Sequence, residues 1–418
     1  MKILCLSNGH GEDAIAVRIL EQLQLQSDTL ELAALPLVGE GHAYTQLGIP
    51  MIGSVQKMPS GGFVYMDGRQ LWRDLQGGLL RLTLAQYKAI REWGLSQAEP
   101  ATVLAVGDIV PLLFAWLSGL PYAFVGTAKS EYYLQDEAGW LSQTSRLERW
   151  LGSVYMPWER GLMRCRRCKA VFPRDKLTTE VLQQYSVPAF DLGNPMMDGI
   201  SPKHPGTEVS EPIQPLRILL LPGSRAPEAY RNWQQIIQAV AGVMSTFSEQ
   251  PLYFLGAVAP ALDLAPLCDY LTATGWASQP SLPVSTPIFE PNAFVFIQKN
   301  ATLLLTQQAY HDCLLMADLA IAMAGTATEQ FVGLGKPAIT IPGKGPQFTP
   351  AFAEAQARLL GSSLILVEQP ADVASVIPSL LHDPNRLQHI AENGRRRMGE
   401  SGAAARIAHL LEQQLLAA

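Results

Sequence analysis

Short apolar runs alternate with longer stretches of helical periodicity along the first 200 residues. Each run has the length of a buried strand, and strands separated by helices of this length pair in parallel, with right-handed crossovers. The pattern therefore predicts a doubly wound parallel sheet in this part of the chain. The predicted strands are 2–7, 30–36, 102–106, 122–126 and 170–172, and the predicted helices are 14–25 and 70–94.

The second half repeats this alternation after the segment 201–215, which is rich in Pro, Ser and charge and has no periodicity. Such a segment is typical of a linker between domains. The predicted strands of the second half are 217–221, 252–255, 294–297, 319–322 and 338–341, and the predicted helices are 227–247 and most of 387–416.

These patterns predict an α/β protein of two doubly wound, Rossmann-like domains that face each other across a cleft. The N-terminal domain would span 1–200 and the C-terminal domain 216–390, joined by the linker 201–215. A C-terminal helix within 391–418 could pack back on the N-terminal domain. Ligands of such sheets bind at the carboxyl ends of the strands, so the loops at those ends are the candidate sites.

Composition supports this architecture and excludes some functions. A chain of 418 residues is too long for one core, and 48% hydrophobic with 16% charged residues is typical of a globular protein with large cores. The formal net charge of -6 argues against a nucleic-acid partner, because general nucleic-acid binding needs a dominant basic surface.

The five cysteines are scattered and odd in number, which indicates a reducing compartment and a cytoplasmic protein. Cys165 and Cys168 form a CxxC pair, but a zinc site would need a second pair, and the sequence contains none. We interpret the two cysteines as small residues on a helix. We therefore expect no metal and no cofactor.

The longest apolar region, 103–126, contains Asp108, Pro111 and Pro121. A membrane span needs about 20 apolar residues without such breaks, so this region predicts strand, turn, helix and strand. A secretory signal is not predicted either, because the polar residues 8–13 would interrupt its apolar core.

The segment 221–225, LPGSR, follows the first predicted strand of the C-terminal domain. Gly223 permits a tight turn, Ser224 could cap the next helix, and Arg225 has a planar group suited to phosphate oxygens. A helix beginning there would offer N–H groups and a positive dipole end to an anion. The alternative is an ordinary turn with a surface arginine.

Two further loops follow predicted strands of the same domain. In 323–330, MAGTATEQ, small side chains would let a ligand approach the backbone, and Glu329 could bind a ribose diol or only complement the helix dipole. In 342–348, PGKGPQF, Lys344 could contact a phosphate. Together the three loops predict one nucleotide-diphosphate site. Its predicted residues are Gly223, Ser224, Arg225, Gly325, Thr326, Ala327, Thr328, Glu329, Lys344 and Gln347.

In the N-terminal domain, NGHGED at 8–13 and the pair Gly107-Asp108 both follow predicted strands. A buried acid is costly unless it is paired or functional, so Asp108 is the first candidate for a catalytic base, with a helix cap as the alternative. His10 titrates near neutrality and is the second candidate, with a simple turn residue as the alternative.

Two segments suggest contact with lipid. The segment 59–66, PSGGFVYM, combines apolar residues with flexible glycines. The segment 158–176 mixes basic and apolar side chains, which favours an anionic membrane surface. The alternative for this second segment is a solvated helix face. Its basic residues are Arg160, Arg164, Arg166, Arg167 and Lys169.

Five pieces of the sequence, in order along nearly the whole chain, resemble lipid A disaccharide synthase. They are GGFVYMDGRQLWRDL from Gly61, AVGD ending at Asp108, the segment 169–198, LLLPGSR ending at Arg225, and AGTATEQFVGLGKPAI at 324–339. The resemblance implies the GT-B glycosyltransferase fold. It also implies an inverting, metal-independent transfer of a sugar from a UDP-sugar to a lipid-linked acceptor.

Two departures place this chain in a divergent branch. NGHGED stands where the family has a loop like GExSGD, and only Gly107-Asp108 remains of the family's GIDxPDF. The donor side thus resembles the family more closely than the acceptor side does.

The sequence therefore predicts a cytoplasmic glycosyltransferase, peripheral on the inner face of the membrane. Its donor would be a UDP-sugar, UDP-GlcNAc-like or UDP-hexose, and its acceptor a lipid or lipid-linked molecule. The alternatives are a UDP-sugar 2-epimerase acting on a soluble substrate and a non-catalytic nucleotide-sugar-binding protein. The predicted acceptor-binding residues are Asn8, Gly9, Gly11, Glu12, Asp13, Gly61, Gly62 and Phe63.

Overall fold

The computed structural model describes residues 2–27, 30–55, 79–97, 100–201, 215–279 and 293–416. The chain divides into two compact units. Unit 1 comprises Met1–Asp198 with Gly399–Ala418, and unit 2 comprises Gly199–Met398. The predicted linker 201–215 lies outside the described residues except at its two ends.

Unit 1 is built on parallel strands crossed by helices. Its strands are β1 (Lys2–Ser7), β2 (Glu31–Pro36), β3 (Ala101–Gly107), β4 (Tyr122–Gly126), the short hairpin β5 (Gln135–Asp136) and β6 (Gly139–Trp140), and β7 (Cys168–Pro173). Its helices are α1 (His10–Gln26), α2 (His42–Gln46), α3 (Leu79–Leu95), α4 (Ile109–Leu117), α5 (Arg146–Leu151), α6 (Pro157–Met163), α7 (Lys176–Gln184) and, near the chain's end, α15 (Ala403–Leu411).

The main sheet of unit 1 has the order β2-β1-β3-β4-β7, and each pair of neighbours is parallel. Its strands are buried on both faces, as expected of a parallel sheet covered by helices. Ile3 and Cys5 pack with residues of α1, α2 and α15, whereas Leu4 and Leu6 pack with residues of α3, α4 and α7. This alternation is the reason for the continuous apolar strands in the sequence.

Asp198 fixes the end of the chain within unit 1. Its carboxylate accepts hydrogen bonds from the backbone amides of Gly402, Ala403 and Ala404, at 2.6, 3.1 and 2.7 Å. These amides begin α15, and a carboxylate at a helix N-terminus satisfies donors that the helix itself leaves unpaired. α15 then packs against α1.

Unit 2 contains the second sheet. Its strands are β8 (Leu216–Leu221), β9 (Leu252–Ala257), β10 (Ala277–Gln279), β11 (Phe294–Gln298), β12 (Ala301–Thr306), β13 (Leu319–Ala322), β14 (Ala338–Thr340) and β15 (Leu364–Leu366). Its helices are α8 (Glu228–Thr246), α9 (Ala265–Ala273), α10 (Tyr310–Met316), α11 (Thr326–Gly333), α12 (Pro350–Leu360), α13 (Val373–Leu381) and α14 (Pro384–Met398).

The sheet of unit 2 has the order β10-β11-β12-β9-β8-β13-β14-β15. β10, β11 and β12 pair antiparallel at one side, and the remaining pairs are parallel. Ile218 and Leu220 pack with the buried Trp233 of α8 in one large apolar cluster. The α/β fold class is therefore confirmed, with one parallel and one mainly parallel Rossmann-like sheet.

Several local predictions differ from the structure. Helix α1 begins at His10, four residues earlier than predicted, because Gly9 ends the strand-to-helix turn and two acids then occupy the first helical turn, where the helix dipole favours them. The strands β5, β6, β10, β12 and β15 were not predicted. Four of them have only two or three residues, and β12, ATLLLT, is a short apolar run of a kind that occurs in both helices and strands.

The segment 158–176 is not one helix face, and the two cysteines of the CxxC pair do not lie on a helix. Cys165 follows the end of α6, and Cys168 is the first residue of β7. Arg160 is buried, its guanidinium lies 3.8 Å from the ring centroid of Tyr185, and it donates to the Leu151 carbonyl at 3.0 Å. This arginine therefore has a structural role.

Candidate functional site

In unit 1, the carboxyl ends of three neighbouring strands bring polar side chains together. Asn8 follows β1, Asp108 follows β3, and Thr127 follows β4. Glu12, in the first turn of α1, reaches the same edge, since Thr127 Oγ1 donates to its Oε1 at 3.5 Å. The edge where a doubly wound sheet binds ligands is therefore acidic in this unit.

Asp108 caps the helix that follows it. Its Oδ1 accepts a hydrogen bond from the Val110 amide at 2.8 Å, and its carboxylate also receives a side-chain hydrogen bond from Asn8. Gly107 makes this arrangement possible: its φ is 136°, and a Cβ there would overlap Asn8 Oδ1. The helix cap that was the alternative to catalysis is thus present.

Two carboxylates at this edge hold protons more tightly than exposed acids do. Burial raises the pKa of Asp108, and the hydrogen bonds from Val110 and Asn8 oppose that shift. Burial also raises the pKa of Glu12, and the charge of Asp108 adds to it. A raised pKa makes a carboxylate a stronger proton acceptor once it is ionised, which is the property that a general base needs.

An ion pair beside Asp108 could not be predicted from the sequence. Lys129 Nζ lies 2.6 Å from Oε2 of Glu159, which is almost fully buried. The charge of Glu159 raises the pKa of Asp108, and that of Lys129 lowers it. The two residues come from the loop after β4 and from α6, and 30 positions separate them, so no local pattern joins them.

The other residues of unit 1 that were predicted to bind the acceptor do not all lie at this edge. Asp13 is buried, accepts a hydrogen bond from Ser7 Oγ at 2.5 Å, and belongs to an interior network that includes Tyr44, so we assign it a structural role. Gly9 and Gly11 flank the start of α1. The His10 side chain and the residues Gly61, Gly62 and Phe63 lie outside what the structure describes.

In unit 2, the three predicted loops follow β8, β13 and β14, which are adjacent in the sheet, with β13 in the middle. Because these strands are parallel, their carboxyl ends meet at one edge. The loops are 222–227, 323–325 and 341–349. The predicted grouping of the three loops is therefore present.

Two amide side chains tie the first two loops to each other and to a helix. Asn232 Nδ2 donates to the carbonyls of Pro222 at 3.0 Å and Met323 at 3.4 Å. Gln356 Nε2, on α12, donates to the carbonyls of Ala324 and Gly325, both at 3.1 Å. Both amides are buried, and such bonds hold loop backbone in one conformation.

Glu228 ties the third loop to the start of α8. Its Oε1 accepts from the Phe348 amide at 2.6 Å and from the Gln347 amide at 3.3 Å. A Cβ at Gly345 would overlap the Glu228 side chain, so glycine is needed there for the loop to close over the carboxylate. The sequence contains only a weak signal for this residue: Glu228 has the helical spacing of the buried Asn232 and Ile236, and therefore lies on the same face of α8.

The predicted donor-binding residues of unit 2 include charged and polar side chains of all three loops. Arg225 is half-buried, and burial lowers its pKa while Glu228 opposes that shift, but a guanidinium remains charged. Glu329 lies in the first turn of α11, and both Thr326 of that helix and Lys344 of the third loop are exposed. These groups are the polar part of the edge.

Two predictions on this side need correction. Ser224 does not cap the next helix, because α8 begins four residues later, at Glu228, with Pro227 at the cap position. Thr328 is fully buried and its hydroxyl donates to the Ala324 carbonyl at 2.6 Å, so its side chain stabilises the helix start from inside. A ligand could therefore approach Thr326 and Ala327 but not the Thr328 side chain.

Within the described ranges, no group of three or more His, Cys, Asp or Glu side chains is placed to hold a metal ion. No helix of those ranges is long and apolar enough to cross a membrane. A cavity of about 270 Å³ in unit 2, lined by residues such as Gln238, Tyr270 and Trp276, contains none of the predicted site residues.

No family model and no curated protein matches the sequence, so the resemblance to lipid A disaccharide synthase depends on the motifs alone. Solved structures are similar over the full length. CalG4, the calicheamicin glycosyltransferase, matches with a TM-score of 0.57 and 14% identity, over 99% of this chain and 98% of its own.

Two further structures match in the same way. MurG of Acinetobacter baumannii has a TM-score of 0.55 and 16% identity, over 99% of both chains. UDP-GlcNAc 2-epimerase of Neisseria meningitidis, bound to UDP-GlcNAc, has a TM-score of 0.54 and 13% identity, over all of both chains. Identities this low establish only a common architecture. The chain has the fold of the GT-B proteins.

Proposed function

We propose that this protein is a glycosyltransferase that moves a sugar from a UDP-sugar to a lipid or lipid-linked acceptor. The observation that carries the proposal is the edge of unit 2, where three loops converge and buried Asn232, Glu228 and Gln356 hold their backbone. A preorganised loop edge with one half-buried arginine suits a nucleoside diphosphate. Both glycosyltransferases and sugar-nucleotide epimerases use such a donor.

In this proposal Arg225 and the start of α11 bind the diphosphate. The guanidinium provides two parallel N–H donors, and the helix start provides backbone amides and a positive dipole end. Glu329, in the first turn of α11, accepts hydrogen bonds from the ribose hydroxyls. Positive charge fixed in advance around the diphosphate stabilises it as a leaving group, and no metal is required for that effect.

Unit 1 would supply the base. Asp108, with its raised pKa, takes the proton from the acceptor hydroxyl. The acceptor oxygen then forms a bond to the anomeric carbon, and UDP leaves with the electrons of the broken carbon–oxygen bond. One displacement inverts the anomeric configuration. Glu12 and Asn8 would orient the acceptor or the base, and His10 remains the alternative base.

The lipid nature of the acceptor is supported by the resemblance to lipid A disaccharide synthase along 61–75 and 169–198. Because the loop 8–13 departs from the family's pattern, the acceptor need not be a lipid A precursor. We therefore propose the class of acceptor and not its identity.

The test is a product analysis. The protein is incubated with UDP-GlcNAc, UDP-glucose or UDP-galactose, each with and without a total lipid extract, and the products are analysed by mass spectrometry. We expect UDP release that depends on lipid, together with a lipid product that is heavier by one sugar. Release of UDP without any glycosylated lipid would contradict the proposed acceptor.

A second candidate is a UDP-sugar 2-epimerase, which the similarity to the epimerase bound to UDP-GlcNAc favours. It predicts conversion of the UDP-sugar to its C2 epimer with no lipid present. A non-catalytic binding protein predicts a thermal shift with UDP-sugars and no product under either condition.

A further inference from the structure

Helices α4, α5 and α6 of unit 1 expose large apolar side chains that soluble proteins usually bury. Trp150 is 80% exposed, Leu147 65% and Trp158 64%, and Leu113 and Trp116 are also exposed. Single exposed apolar residues are common, but a group that includes three tryptophans is not. We call these five residues the tryptophan surface.

Contacts connect the three helices that carry the tryptophan surface. α4 packs against α6, and Arg160 of α6 donates to the Leu151 carbonyl, the last residue of α5, at 3.0 Å. Beyond the end of α6, the Arg167 guanidinium lies 6.0 Å from the centroid of the Trp116 ring. The side chain of Trp116 is also hydrogen-bonded to that of Cys165. The three helices are therefore neighbours within the unit.

The segment that contains α5 and α6 has a net charge opposite in sign to that of the whole chain. Residues 141–169 contain seven basic and two acidic residues, whereas the protein has a net charge of -6. One of the two acids, Glu159, is buried in its ion pair with Lys129. The exposed basic residues are Arg146, Arg149, Arg164, Arg166 and Lys169.

α4 is unusual in composition as well. Its sequence, IVPLLFAWL, contains no charged or hydrogen-bonding side chain except the indole N–H of Trp116. A helix that is apolar all round is buried in a core or in lipid, yet Leu113 and Trp116 face outward. Tryptophan is enriched where an apolar medium meets water, because its ring is apolar and its N–H is polar.

We infer that the tryptophan surface is where this protein binds the interface of an anionic lipid bilayer. Its tryptophans and leucines insert at the level of the lipid headgroups, and the surrounding arginines and Lys169 contact lipid phosphates. This differs from the membrane segment predicted from the sequence, because Arg160 is buried and the most exposed apolar residues belong to α5. The inference does not depend on the transfer reaction and needs no UDP-sugar.

Sedimentation with lipid vesicles tests the apolar part. We compare the unmodified protein with the double variant Trp150→Glu/Trp158→Glu. The matched control is Leu25→Glu/Leu95→Glu, which changes two equally exposed leucines of unit 1, at 79% and 78% exposure, outside the tryptophan surface. On vesicles of phosphatidylcholine with phosphatidylglycerol, we expect the tryptophan variant to lose at least about tenfold in partitioning and the control to lose little.

Arginine variants test the electrostatic part. Arg146→Gln/Arg166→Gln should reduce binding to phosphatidylglycerol vesicles by about fivefold for each arginine and should not change the weaker binding to pure phosphatidylcholine. Arg231→Gln/Arg386→Gln, which removes two exposed arginines of unit 2, is the control. Added salt should reduce binding of the unmodified protein in the same direction.

Two results would overturn the inference. One is vesicle binding that is equally strong in Trp150→Glu/Trp158→Glu and in its control variant. The other is self-association of the unmodified protein that Trp150→Glu abolishes, with no vesicle binding at all, since the tryptophan surface would then join two copies of the chain. Melting curves of all variants without lipid check that each is folded, and a thermal shift with UDP-sugar reports separately on the donor site.

Discussion

Glu228 Oε1 accepts a hydrogen bond from the backbone amide of Phe348 over 2.6 Å. The two residues are 120 positions apart, and the bond joins the first residue of α8 to the loop after β14. Because Glu228 is buried, this bond is shielded from water and holds the third loop of the proposed donor site in place. Loop order in this site is thus set by a residue that need not touch the ligand.

Replacing Glu228 should therefore affect both stability and donor binding. Glu228→Ala leaves buried amides without an acceptor, and we expect a loss of about 1–3 kcal/mol in unfolding free energy and weaker UDP binding. Glu228→Gln keeps one oxygen acceptor and should lose less. Urea unfolding and calorimetric titration with UDP measure the two effects, with Glu249→Ala, an exposed acid just beyond the same helix, as the control. Equal losses in Glu228→Gln and Glu228→Ala would contradict the role of the acceptor oxygen.

Arg225→Ala should weaken UDP-sugar binding without unfolding the protein. A hydrogen-bonded charge contributes about 1.5–3 kcal/mol, so the dissociation constant should rise by about 10- to 100-fold. Arg225→Lys keeps the charge but loses the planar guanidinium group. Its dissociation constant should therefore lie between those of the unmodified protein and Arg225→Ala. The thermal shift caused by UDP reports the affinity. Arg231→Ala, an exposed arginine on α8, should bind normally, and a normal shift in Arg225→Ala would place the diphosphate elsewhere.

Asp108→Asn should separate catalysis from capping. Asn caps a helix about as well as Asp, so the variant should fold and bind the UDP-sugar, while turnover falls by roughly 100- to 10,000-fold as the base is lost. Because burial raises the pKa of Asp108, activity of the unmodified protein should decline on acidification at a higher pH than an exposed aspartate would give. Asp191→Asn, an exposed acid, is the control. Near-normal turnover in Asp108→Asn together with inactive His10→Ala would make His10 the base.

Asp13 should make stability depend on pH. Burial raises its pKa from 3.8 to about 6, so between these values the unfolded chain has released the proton and the folded chain retains it. The unfolded state then binds fewer protons, and stability falls as pH rises through this window. Asp13→Asn should therefore gain about 2–3 kcal/mol over the unmodified protein above pH 6, and little below pH 4. Urea unfolding across this range measures the difference, and a gain that does not vary with pH would contradict the assignment.

Much of the fold could be predicted from the sequence, because strands that are buried on both faces are continuous apolar runs. The strands β1, β4 and β13 were predicted with their observed bounds, and seven others within two residues. Each is a short apolar run between turn residues, and the helices between them specify parallel pairing. Strand β12 and the early start of α1 were missed because a short apolar run and a glycine-rich turn each permit two local structures.

The candidate residues themselves were also visible in the sequence, since glycine, acid and arginine directly after an apolar run mark the carboxyl end of a strand. The sequence could not determine which of them face a ligand. Thr328 and Asp13 stand in the same motifs as Thr326 and Glu12, yet they are buried and bonded to neighbouring residues, because the helical turn directs successive side chains to different sides.

Only the tertiary structure showed the supporting contacts and the tryptophan surface. Lys129 with Glu159, Asn232 with Met323, and Glu228 with Phe348 join residues that lie 30 to 120 positions apart, and no local pattern records such a pair. Likewise, the sequence does not show whether Trp150 and Trp158 lie in the core or at the surface. Local propensity and periodicity are properties of neighbouring residues, whereas exposure and long-range hydrogen bonds are decided when distant elements pack together.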